Sequence, residues 1–255
     1  MMEILRQLFI RLGVNGVPLG GFIFGGWSWQ TAVALYWVEN FIGIPLIAAQ
    51  ILIHQQLTHK RGHYRTQLGV TINGKAKTFD SFLSEFLISG TLFVFVHGIF
   101  LLAIFVIIVR AFPDLNELRT GLIAIIAFQV FDFASDLISI RQRPFTWIKT
   151  IAGVEFGRIV LFQLAIMGGM FIAALANDPT WFFLPFALLK LFAEVGGVLG
   201  RLIRVDPSQP APSWLVRVMN RVRPNEDFAT YWKTEDAKEA KQIAEDEQVM
   251  PGMEI

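Results

Sequence analysis

Along most of the chain polar residues come in short bursts. Between them run apolar stretches of about twenty residues, the length a helix needs to cross a hydrocarbon core of about 30 Å. Six such stretches occur, at approximately 7–26, 29–53, 84–109, 119–140, 153–175 and 180–202. They predict an all-α fold, a polytopic transmembrane helical bundle of about six spans over residues 1–203, with a cytoplasmic tail over 204–255. The first stretch is the weakest, because Asn15, Gly16 and Pro18 should kink it or break its hydrogen bonding. It has no small-residue cleavage site after it, so it reads as a retained span and not as a signal peptide. Asn177-Asp178-Pro179 is a strong turn signal between the last two spans.

Charge then sets an orientation. The connection between spans 2 and 3 carries Lys60, Arg61, Arg65, Lys75 and Lys77 against Asp80. Arg141, Arg143 and Lys149 lie between spans 4 and 5, and Arg201 and Arg204 follow span 6. The 1–2 turn is uncharged, Arg110 and Arg119 are balanced by Asp114 and Glu117, and the 5–6 turn holds Asp178. Basic loops stay in the cytoplasm, so both termini are expected inside. Trp27, Trp29, Trp147 and Trp181 fall near span ends, where amphipathic rings favour the membrane interface.

Composition adds exclusions. The chain is 54% hydrophobic and 17% charged, with a mean hydropathy of +0.51, against about 25% charged residues in soluble domains. No cysteine is present, which removes disulfides, thiolate metal sites and cysteine nucleophiles. Phosphate loops, dinucleotide fingerprints, nucleophile elbows and HExxH are lacking too. Lipid is the expected partner, with protein partners through the tail; nucleic acid is not expected, and no cofactor is indicated.

After Pro207, Pro210 and Pro212, the segment Trp214–Arg223 alternates apolar residues with Arg217, Arg221 and Arg223. It reads either as a short interfacial helix or as a loosely structured basic tail. From Thr234 to Glu247 the chain is nearly all charged, with Thr234 as a helix N-cap candidate, and a solvated helix or disorder is expected.

Ionisable groups inside spans cost about 2.5–3.5 kcal/mol each on insertion scales and usually face the bundle interior. Here they are Glu39, His97, Asp132, Asp136, Arg158, Lys190 and Glu194, with Glu155 at a boundary. Helical rise places Glu39 and Lys190 about 15 Å from the outer helix ends and His97 about 20 Å from the inner end of its helix, so all three are expected at similar depth. Gln129, Asp132, Asp136 and Ser139 share one face, as do Lys190, Glu194, Gly197 and Arg201, and as do Tyr36, Glu39, Asn40 and Gly43. These stripes are expected to meet centrally, with Arg158 pairing with Glu155, Asp136 or Glu194. Such a network either neutralises itself and fixes helix register, or forms a proton, ion or solute site.

His54, His59 and His63 could bring the last two together on a helix, but no carboxylate or cysteine completes a metal set, and a solvated basic loop is expected. The pairs Gly16/Gly20, Gly21/Gly25, Gly153/Gly157 and Gly196/Gly200 match the small-xxx-small pattern of close helix approach.

Several segments carry a resemblance: Asn15-x-x-Pro18, Gly25-Gly26-Trp27-Ser28, Tyr36-Trp37-x-Glu39-Asn40-x-Ile42, Val96-His97-Gly98-Ile99-Phe100 and Arg158-Ile159-Val160. Over roughly residues 10–200 the chain resembles a family of multi-pass bacterial inner-membrane proteins classed as a domain of unknown function. The resemblance implies a membrane fold and singles out Glu39, Asn40, His97 and Arg158, without implying an activity. Histidines frequent in that family stand where this chain has Ser89 and, near helix 5, Gln163, which argues against a histidine metal site. Three functions fit: binding or permeation of a small solute, ion or proton through the polar core; an accessory subunit of a membrane complex; or an intramembrane enzyme using His97 and a carboxylate as acid and base.

Overall fold

A computed structural model describes residues 2–66, 69–72, 75–78, 80–176, 183–200, 213–222 and 228–253. Among them are the helices α1 (Met2–Phe24), α2 (Trp29–Thr58), α3 (Phe82–Ala103), α4 (Leu115–Leu137), α5 (Phe145–Ala176), α6 (Phe183–Gly200), α7 (Ser213–Val222) and α8 (Phe228–Asp246). The 177–179 turn, Trp181, Arg201, Arg204, the proline linker and Arg223 lie outside the described residues.

Among the described residues, five helices are long and apolar enough to cross a membrane, in the segments Leu5–Phe24, Trp29–Thr58, Phe82–Ile107, Leu115–Leu137 and Phe145–Ile172. Their ends follow local chemistry. Ser28 caps α2 by accepting from the Thr31 amide, Ser81 and Ser84 form a reciprocal capping box on α3, and Asp114 accepts from the Asn116 and Glu117 amides at the start of α4. The chain of α3 continues as a wide π-helical turn over Ile104–Val109 and stops at Arg110 in the left-handed region, φ 54°.

Three expectations change. The first helix runs unbroken through Pro18, and Tyr36 braces it one residue past the freed carbonyl by donating to the Asn15 carbonyl at 3.0 Å. Helix α5 begins at Phe145, eight residues before the apolar stretch at 153, because the interfacial turn containing Trp147 and Lys149 is already helical. The all-α class holds for the bundle, but the 2–3 connection forms a small antiparallel hairpin, β1 (Gly69–Ile72) with β2 (Lys75–Thr78).

The helices run up and down, with α2 touching each of α1, α3, α4, α5 and α6. The Trp37 indole pins it to α3 by donating to the Val94 carbonyl at 3.0 Å. Toward the end that carries the α1–α2 turn, an aromatic cluster of Trp29, Tyr36, Phe105, Phe162, Phe183 and Phe186 fills the interior. Toward the opposite, basic end, Ile44, Ile51, Phe82, Phe86, Phe145 and Ile148 form a second cluster.

Polarity is inverted relative to a soluble bundle. Phe24, Ile107, Phe171 and Phe192 are among many large apolar residues on the outside, whereas Asn15, Glu39, Glu155, Arg158, Lys190 and Glu194 are buried. Water would penalise that outer surface, and hydrocarbon would not. Two of the small-xxx-small pairs are not close contacts, since a Cβ on Gly16, Gly20, Gly153 or Gly157 would meet nothing within 4 Å, whereas a Cβ on Gly21 would lie 2.0 Å from the Trp27 ring. Gly43 is one true close approach, since a Cβ there would lie 2.2 Å from Glu155 Oε1.

Candidate functional site

Four helices contribute to a buried ionic cluster. Lys190 on α6 is 1% exposed. Its ammonium donates to Asn15 Oδ1 at 2.9 Å, Glu39 Oε2 at 2.9 Å and Glu194 Oε1 at 2.5 Å, which uses all three of its protons. It also sits 4.6 Å from the Tyr36 ring centroid, on the electron-rich face. Arg158 on α5 spreads its fork over three carboxylates: Nη2 meets Glu39 Oε1, Nη1 donates to Glu155 Oε2 at 2.7 Å and Nε to Glu194 Oε1 at 3.2 Å. Asn15 closes the ring by donating to Glu194 Oε2 at 2.9 Å.

A second network lies nearer the basic end. Arg6 donates to Asp132 Oδ1 at 2.5 Å and Asp136 Oδ1 at 2.6 Å, Arg11 lies 3.9 Å from Asp132, and Gln50 donates to Asp136 at 3.2 Å. Two guanidinium groups balance two carboxylates there. In the inner cluster, Glu39, Glu155 and Glu194 outnumber Arg158 and Lys190 by one.

A cavity of about 70 Å³ separates the two networks, with Arg11, Gly43, Gln50, Gln129, Asp132, Asp136, Glu155 and Arg158 in its wall. That volume accommodates several waters, at roughly 10–15 Å³ for each. Its rim residues Gln7, Arg11, Leu46 and Trp147 are partly exposed, so it communicates with the surface. Two acceptors in its wall, Glu155 Oε1 and Gln129 Oε1, find no hydrogen-bond partner among the described residues. The amide of Gln129 is oriented, because its nitrogen donates to the Glu39 carbonyl at 2.9 Å. These two oxygens suit a donor or a cation, and the Arg11 and Arg158 guanidinium groups share the same wall.

The sequence-derived candidates separate clearly. Glu39, Arg158, Lys190 and Glu194 come together; Asp132 and Asp136 form the second network with Arg6, so Arg158 pairs with Glu39 where Asp136 was considered. Asn40 is buried beside Glu39 with its Oδ1 unpartnered among the described residues. His97 does not join them: its Nδ1 contacts the Phe93 carbonyl one turn back, and its ring packs on Phe93 and Phe162. Gln163 is half-buried on α5, outside both networks. Asn15, Arg6, Arg11 and Gln50 are additions, and Glu155, read as a boundary residue and a partner for Arg158, does join the inner cluster. Asn15 was legible only as a helix breaker, whereas Glu155 and Arg158 show the i,i+3 spacing of a helical ion pair.

The loop histidines also differ from the solvated arrangement expected of them. His54 and His63 are fully buried, with Nδ1 of the first 2.7 Å from Nε2 of the second, while His59 ends α2 in the left-handed conformation. Burial, then the neighbouring His54 and Lys60, push the His63 imidazolium down to about 3, so it is neutral at pH 7. No group of three or more metal-ligating side chains occurs among the described residues.

An apolar exterior around paired charges, on helices long enough to span a bilayer, defines a polytopic helical membrane protein. The chain belongs to the family of unknown function DUF6498, whose profile matches residues 4–213. No curated protein and no solved structure matches it.

Proposed function

We propose that this protein binds a proton or a small monovalent cation at Glu155 and passes it through the bundle core. The observation that carries this reading is the excess of one carboxylate over the cations beside the cavity. Glu39 and Glu194 each face both cations, but Glu155 has Arg158 alone and keeps one oxygen free in the cavity wall. An excess carboxylate in a low-dielectric interior is neutralised by a proton or by a cation. The cavity lies toward the basic end, and the aromatic cluster around Tyr36, Phe162 and Phe186 seals the other end. This arrangement is loaded from one side, and transfer requires the aromatic seal to part.

In this reading the protein resides in a bacterial cytoplasmic membrane. Helix α6, packed along α5 and α1 and carrying Lys190 and Glu194, is the sixth span. The basic connections and both termini face the cytoplasm.

The test is flux in liposomes containing purified protein and a trapped pH-sensitive dye, with an imposed proton or sodium gradient. Wild-type protein is expected to dissipate the gradient and Glu155→Gln to leave it intact. Equal flux from the two sinks the assignment of Glu155. A second reading, a structural subunit of a membrane complex, draws on the complete caging of Lys190 across three helices. It is favoured if the wild-type protein shows no flux and copurifies with a fixed membrane partner. His97 packs on aromatic rings and not on a carboxylate, so the geometry lends no support to intramembrane acid–base catalysis.

A further inference from the structure

The charged tail ends in a built seat. After α8, Val249 pairs antiparallel with Lys60; Arg61 N donates to the Gln248 carbonyl at 2.7 Å and Met250 N to the His59 carbonyl at 3.0 Å. The Glu247 carboxylate reaches the first turn of α5. It accepts from Phe145 N at 3.0 Å, Thr146 N at 2.9 Å and the Thr146 hydroxyl at 2.7 Å, while Lys60 Nζ donates to it at 2.6 Å. Arg65 holds Glu245 at 2.8 Å and Asp246 at 3.4 Å.

Helix starts leave four amides without intrahelical partners and favour an anion. For α5 that anion is supplied from 102 residues further along the chain. Although Glu247 is partly buried, which pushes its carboxyl up, the hydrogen bonds from Lys60, Thr146 and Phe145 outweigh this and hold it down at about 2. The tail was expected to be a solvated helix or disordered, with Thr234 as an N-cap, and α8 is a largely exposed helix. In the structure Thr234 lies inside α8 and bonds back to the Thr230 carbonyl at 2.9 Å, and the end of the tail is docked.

The seat and the polar cavity share one stretch of helix. Phe145 and Thr146 bind Glu247, and the next residues, Trp147 and Ile151, line the cavity. Arg143 stacks 5.2 Å from the Trp147 ring centroid and lends its carbonyl to both Lys60 and His54. Phe145 packs edge-on against His63 and Phe82. We propose that Glu245–Met250, the acidic end of α8 and the turn and bridge that follow it, is a detachable internal ligand seated on the Lys60–Tyr64 turn and the first turn of α5, whose release loosens the cavity wall. Its role as a regulator rests on the cavity being the working site; its docking and release do not.

The experiment is amide hydrogen exchange on the full chain in nanodiscs, followed in peptides covering 59–66 and 145–151. Loss of a capping carboxylate is expected to speed exchange at Phe145 and Thr146 about tenfold in Glu247→Gln. A chain ending at residue 244 should do the same, and a synthetic peptide of residues 245–253 added to it should restore slow exchange. In an Ile151→Cys background, which holds the sole thiol of the chain, a charged maleimide should react about tenfold faster when the chain ends at 244. Should Glu247→Gln aggregate, Lys60→Gln removes the same contact from the other side. Equal exchange with and without the tail overturns the proposal, and so does fast exchange that the peptide fails to reverse. None of these readouts needs flux, so failure here and failure of the Glu155 reading are separate results.

Discussion

Replacing Lys190 with methionine removes one cation from the inner cluster while keeping the length of the side chain. Three hydrogen bonds go with it, at 2.9, 2.9 and 2.5 Å. Interhelical polar contacts in membranes average about 0.6 kcal/mol, so simple loss of three comes to about 2 kcal/mol. The larger effect is that Glu39, Glu155 and Glu194 then share Arg158 alone, and stripping one partner from a buried ion pair costs roughly 3–5 kcal/mol. The expected loss is therefore about 2–5 kcal/mol, read from reversible unfolding in mixed detergent micelles. Adding Glu194→Gln to Lys190→Met returns the cluster to its original charge. The double variant should be more stable than the sum of the singles by about 1–3 kcal/mol, the range for directly coupled residues. A loss below about 0.5 kcal/mol for Lys190→Met, or strict additivity in the double variant, would refute the view that charge balance governs this site.

Gly43→Ala places a methyl 2.2 Å from Glu155 Oε1, so the carboxylate must turn and its 2.7 Å contact with Arg158 must lengthen. A destabilisation of about 1–3 kcal/mol is expected by the same unfolding measurement, and an unchanged curve would mean that Glu155 is free to move. At the tail, the Glu247 carboxyl is held at about 2 against an ordinary value of 4.5, with Lys60 the cation against it and His63 neutral beside it. A depressed carboxylate stabilises fully above its ordinary value and loses that contribution as pH falls through the depressed one. A spin label at Val249→Cys should stay immobile at pH 5 and gain mobility as pH falls from about 4.5 through about 2. Glu247→Gln should show a smaller gain over that window, the remainder coming from His63, which takes up its proton near 3, and from Glu245 leaving Arg65.

What was legible in the sequence, and what was not, follows from the physics each feature depends on. Length and hydrophobicity mark a span without reference to any other part of the chain, so the five spanning helices were readable. Residue counting along helices likewise gave the heights of Glu39 and Lys190. Height is not azimuth, however: His97 lies at the same computed level, yet its side chain turns back onto Phe93 and Phe162. Composition treats Asn15 as a helix breaker because the Lys190 and Glu194 side chains it bridges are about 175 residues away. The same limit applies to Glu247. Within a run of charged residues it looks like its neighbours, and only the three-dimensional position of Phe145 and Thr146 distinguishes it. The start of α5 was misplaced because Lys149 near an interface resembles a loop residue in a hydropathy profile.

The distance in sequence between Glu39 and Lys190, 151 residues, also has a meaning for biosynthesis. At about 5–20 residues per second, Glu39 is made roughly 8–30 s before its lysine partner. During that interval Glu39 and Asn15 belong to nascent helices whose counter-charges do not yet exist. The growing chain must keep them near water, or within the insertion machinery, until α5 and α6 arrive. A polypeptide stopped after α4 would thus carry Glu39 without either of its cations, which α5 and α6 supply.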